Sequence, residues 1–97
     1  MDRVLCAANA QSMKYFFNEE QFRLIPESVR QELKAICVNY CASAGGVLLF
    51  SFDDANHLHL QTIEPIDEIG AELEIKRIRE KHKELFGQLE LFAEKFG

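Results

Sequence analysis

The chain has no tryptophan, only two prolines, three cysteines and fewer basic than acidic side chains. Each shortage excludes something. Cys6, Cys37 and Cys41 are an odd number at no disulfide-framework spacing, which argues against a stapled secreted scaffold and fits a reducing compartment. No run approaches the ~18 consecutive apolar residues of a membrane span. Met1-Asp2-Arg3-Val4 lacks the basic start and long apolar run of a secretory signal. The expected location is the cytoplasm, without membrane insertion. Eleven Lys and Arg against sixteen Asp and Glu give a net charge of −5. Nucleic-acid affinity comes mainly from cations neutralising phosphates, so this balance discounts a nucleic-acid partner.

What is present is an ordinary globular composition, 47% hydrophobic with eight Phe. It predicts one α+β domain over residues 1–97 with a core of Phe, Leu and Ile. Val4–Ala8 and Met13–Phe17 are short apolar runs separated by turn-forming residues, which predicts a hairpin. A polar connection follows from Asn18 to Leu24, with Phe22 tucked in. Pro26 suits a helix start, although Ser28 with Gln31 offers a capping box as an alternative. Val29, Leu33, Ile36, Cys37, Tyr40, Cys41 and Ala44 then give one apolar face, and Gly45-Gly46 ends the helix. Val47–Asp53 reads as a strand and Asp53–Asn56 as a turn. His57–Ile63 alternates, sending Leu58, Leu60 and Thr62 inward and His57, His59 and Gln61 to solvent.

Ile75, Ile78, His82, Leu85, Leu89, Phe92 and Phe96 follow at steps of three and four. That seam predicts one long C-terminal helix, with Asp67 as its cap and a start after Gly70. A short fifth strand near residues 71–75 is the alternative for its beginning. The resulting order is ββαββα, a two-layer fold in which two helices cover one face of an antiparallel sheet. The basic run Lys76, Arg77, Arg79, Lys81 and Lys83 reads as a solvated helix face paired with Glu72, Glu80 and Glu84.

Chemistry is sparse. Cys37 and Cys41 lie four apart on one helix face, and His57 and His59 share one side of a strand. A Cys₂His₂ zinc site is conceivable from these four, but the alternation sends the histidines outward, and buried free cysteine packs as a small hydrophobe. No metal and no cofactor are therefore expected. His82 reads as a half-buried residue at the edge of its element. Asp53 and Asp54 lack the spacing of a calcium loop. Gly45-Gly46 follows a helix, the reverse of a phosphate-binding loop. Ser12, Ser28, Ser43 and Ser51 sit in no nucleophile elbow, and no nucleophile–base–orienter set can be assembled. An enzyme is the least favoured reading.

VLCAAN at Val4–Asn9, YFFN at Tyr15–Asn18, IPESVRQEL at Ile25–Leu33, Gly-Gly-Val at Gly45–Val47 and DEIG at Asp67–Gly70 resemble a family of small uncharacterised bacterial proteins. The stretches cover most of the chain, and none is a catalytic signature. The resemblance implies a single-domain protein of unknown function and brings no site residue. The element order is also coarsely similar to roadblock and profilin-like modules, which usually carry a further strand; that likeness concerns fold alone.

These readings favour a non-enzymatic interaction or scaffold module. Phe86 and Leu91 lie off the seam, so the last helix is apolar beyond a narrow stripe. Phe86, Leu91, Phe92 and Phe96 are the expected interface of a homodimer, or of an unidentified protein partner, with the sheet edge as a second route. The alternative function is a small-ligand or metal-binding module.

Overall fold

The computed structural model describes residues 3–96. Eight elements follow one another: β1 (Arg3–Asn9), β2 (Lys14–Phe17), α1 (Glu19–Phe22), α2 (Glu27–Ala44), β3 (Val47–Phe52), β4 (Leu58–Ile63), α3 (Glu68–Lys81) and α4 (Lys83–Phe96). The sheet has the order β2-β1-β3-β4 and is antiparallel throughout. This is the expected α+β architecture, and the helices lie on one face of the sheet.

Local chemistry sets the element ends. Asn18 closes the first hairpin: its amide nitrogen donates to the Val4 carbonyl at 2.9 Å, and its side-chain oxygen accepts from the Gln21 backbone at 3.4 Å. That cap turns part of the expected polar connection into the short helix α1. Pro26, rather than Ser28, opens α2, and its carbonyl accepts from Val29 and Arg30. Gly46 holds φ +69°, and a Cβ there would lie 2.3 Å from the Ile63 carbonyl oxygen. Only glycine allows that approach of β3 to the end of β4.

The core lies between sheet and helices. Leu5, Cys6, Phe22, Leu33, Cys37, Leu48, Phe50 and Phe52 are wholly buried. A buried Phe such as Phe50 contributes about 1.5–3 kcal/mol relative to an exposed one. Phe50 meets Phe86 edge to face at 5.8 Å, and Phe22 meets Phe52 at 5.5 Å.

Three expectations at the C-terminal end are corrected. There is no fifth strand at 71–75, because Ala71–Ile75 lie within α3. The helix begins before Gly70, whose missing side chain leaves room for the Asp67 carboxylate; a Cβ there would lie 2.7 Å from Asp67 Oδ2. The single long helix is also broken, at His82, with φ −112° and ψ 28°. A straight helix from Glu68 to Phe96 would run about 43 Å at about 1.5 Å per residue. The whole molecule extends only 36 Å along its longest axis. The bend lets α3 pack on α2 while α4 packs beside β4.

The pairing register defines a second, open face of the sheet. Phe16, Ala7, Leu49 and Gln61 form one row across it, and Lys14, Asn9, Val47 and Ile63 the next. Val4, Ser51 and His59 form a third, where the face closes over and Ser51 is buried. No helix crosses these rows, and Phe16 and Ile63 are about half exposed (54% and 48%).

Candidate interaction surfaces

The cysteine and histidine candidates do not converge. Cys37 is buried between α2 and the sheet, near Cys6, while Cys41 is partly exposed one turn on. A hydrogen bond with the Cys6 thiol, reinforced by burial, pushes the Cys37 thiol far above its usual range. Burial first, then Cys37 nearby, raises Cys41. Such thiols stay protonated at neutral pH, which makes them poor nucleophiles. The Tyr15 hydroxyl is raised as well, by burial and then by the same two thiols. It is shielded from solvent with no hydrogen-bond partner of good geometry.

His57 and His59 lie away from those sulfurs, at the β3–β4 turn. Both turn to Asp53 instead. His59 Nε2 is 2.7 Å from Asp53 Oδ2, and His57 Nδ1 is 3.8 Å away. Asp53 Oδ1 accepts from the backbone of Ala55 and of His57, both at 2.9 Å. The His59 contact first, then the His57 amide, holds the Asp53 carboxyl down at about 2. This is a carboxylate organising a tight turn, the role that turn chemistry assigns it. Among the described residues no cluster of three or more His, Cys, Asp or Glu is arranged to hold a metal ion.

His82 occupies the bend between α3 and α4. Its side chain is 19% exposed, with Nδ1 3.9 Å from Glu32 Oε1 of α2, and its ring is 6.2 Å from Phe86. The basic run on α3 pairs differently from expectation: Arg77 meets Glu74 at 3.5 Å. Arg79 donates to the Leu58 carbonyl at 3.2 Å, and Glu90 of α4 accepts from the Leu58 amide at 2.7 Å.

The four aromatic and aliphatic side chains expected to form an interface separate into three settings. Phe86 is 6% exposed against Phe50, so the core of its own chain takes it up. Phe92 is half-buried and stacks on Phe96 at 5.0 Å. Leu91 and Phe96 are exposed. The open sheet face follows from the expected one-sided helix cover, but its residues were not among the expected interface residues. Its signal was present in the near-continuous apolar strings of β1 and β3, a pattern of strands covered on both faces.

The profile of a family of unknown function, DUF6145, matches residues 2–96. The chain belongs to that family. No curated protein and no solved structure matches it. Membership in the family agrees with the resemblance carried by the VLCAAN, IPESVRQEL and DEIG stretches, and it supplies no activity. No helix of the described residues is long and apolar enough to cross a membrane.

Proposed function

We propose that the chain is a self-associating interaction module, and that a second copy covers the open face of its sheet. One observation carries this reading. The two central strands present Val4, Ala7, Val47 and Leu49 on the face away from the helices, with Asn9 and the buried Ser51 as its polar members. Those four apolar residues occupy the middle of the uncovered face, Phe16 and Ile63 flank them, and Lys14, Asn9, Gln61 and His59 make a polar rim. An apolar centre within a polar rim is the usual anatomy of a protein interface. A solvated antiparallel face would instead alternate to polar residues.

Size supports a modest assembly. Four strands about 4.8 Å apart and about 20 Å long give a flat footprint of about 400 Å² per copy. Two copies would bury about 800 Å² in total, below the range of stable interfaces, so a weak association in exchange with monomer is expected. Stacking two such faces across a two-fold axis uses the same patch on both copies. The Leu91–Phe96 end of α4 is a smaller second surface, because Phe86 belongs to the core. The three free thiols suit a cytoplasmic setting.

Sedimentation equilibrium tests the proposal. The unmodified chain is expected to dimerise reversibly, with Leu49→Lys and Phe16→Glu shifting it to monomer and Leu91→Lys leaving it dimeric. A chain that stays monomeric at millimolar concentration sinks the reading, and a dimer lost only in Leu91→Lys moves it to α4.

A further inference from the structure

A groove on the helix-covered side collects features that the packing of the chain does not explain. The tip of the β1–β2 hairpin and the outer flank of α2 border an open groove of about 450 Å³, within the size range of small-ligand pockets. Met13 stands at the tip with φ 53°, a left-handed conformation that costs a bulky residue about 1–2 kcal/mol. It closes the loop in which Asn9 Oδ1 accepts from the Gln11 and Ser12 amides, and it is 90% exposed. Val38 faces the same space from α2 and is 51% exposed. Ala8, Ala10 and Ala42 keep the walls low, and the Tyr15 ring lines the groove beside them.

The charges are one-sided. Lys14 and Lys34 line the groove and no carboxylate does, in a chain whose net charge is −5. Lys34 Nζ lies 6.0 Å from the centre of the Tyr15 ring. Neither ammonium pairs with a carboxylate among the described residues. A flexible, polarisable Met beside small alanines suits an unbranched hydrocarbon better than a rigid ring system.

We propose that this groove binds a small aliphatic carboxylate. Its hydrocarbon body lies between Met13 and Val38 along the Tyr15 ring, and its carboxylate meets Lys34, with Lys14 at the rim. The groove shares Lys14 and Asn9 with the rim of the open sheet face, whereas Met13, Val38 and Lys34 stand on the helix side, so binding there does not require self-association. Cys41 lines it as a protonated thiol and takes no chemical part.

Amide NMR with decanoate as the probe tests the site. Saturable shifts are expected at Met13, Val38 and Cys41. Decylammonium, with the same tail and opposite charge, is expected to bind about tenfold more weakly or worse, as is decanoate to Lys34→Glu, because an ionic contact is lost. Lys34→Met keeps the stem over Tyr15, so its folding is expected to be intact while its affinity falls like that of Lys34→Glu. Equal binding of decylammonium overturns the proposal. So do shifts centred on Phe16 and Leu49, or an absence of saturation with a folded protein.

Discussion

The Tyr40 hydroxyl donates to Thr62 Oγ1 at 2.6 Å, joining the C-terminal part of α2 to the edge strand of the sheet beneath it. Tyr40 is 1% exposed, so water does not compete for this bond. Tyr40→Phe keeps the ring and removes the hydroxyl. The expected loss is about 1 kcal/mol, the net value of a typical internal hydrogen bond. Urea unfolding checks it: the midpoint should fall with an unchanged slope.

Phe86 and Leu91 separate core from surface on the same helix. Phe86→Ala empties the space against Phe50 and is expected to cost about 3–5 kcal/mol. Leu91 is 58% exposed, and Leu91→Ala is expected within about 0.5 kcal/mol of the unmodified chain. Equal losses in thermal or urea unfolding would contradict the assignment of Phe86 to the core.

Gly87 within α4 and Gly46 just before β3 respond in opposite directions. Gly87 lies inside α4, and a Cβ added there would meet nothing within 4 Å, so Gly87→Ala is expected to stabilise by about 1 kcal/mol through helix propensity. Gly46→Ala drives a methyl group into the Ile63 and Glu64 carbonyls at a positive φ. Its soluble yield and melting temperature are both expected to drop sharply.

Asp53 predicts an acid-side dependence. Its folded value of about 2 lies below the ordinary 3.8, so the unfolded chain binds the proton more readily. The stabilisation is therefore complete above pH ~4 and is lost as the pH falls through ~4 toward ~2. Asp53→Asn removes this ionisation. The stability gap between the two proteins, read by urea unfolding at several pH values, should close by pH ~2; a gap constant with pH would disprove the assignment.

What the sequence revealed was local. Asp53–Asn56, Gly45-Gly46 and the alternation of Leu58–Thr62 specify turns, helix end and strand facing through neighbours in the chain, and these were readable. The bend at His82 was not, because the three-and-four spacing continues through it; the cause is the change of packing partner from α2 to the sheet. Phe86 looked surplus to a one-stripe helix, but the bend widens the buried stripe of α4 to include it. Which residues stand at the centre of the open sheet face depends on β1 and β3 being central strands, which only the strand order decides. The groove depends on Met13 and Lys34 meeting across a hairpin tip, a contact between segments that no spacing rule connects.

Leu58 shows how the outer edge of the sheet is kept from recruiting strangers. The carboxylate of Glu90 and the guanidinium of Arg79 occupy its outward amide and carbonyl, the groups another strand would seek. One plug comes from each of the last two helices. Fraying of α4 alone therefore unmasks a template before the core is lost. Glu90→Ala is expected to form fibrillar aggregate on agitation, by dye binding, at temperatures where its circular dichroism is still native.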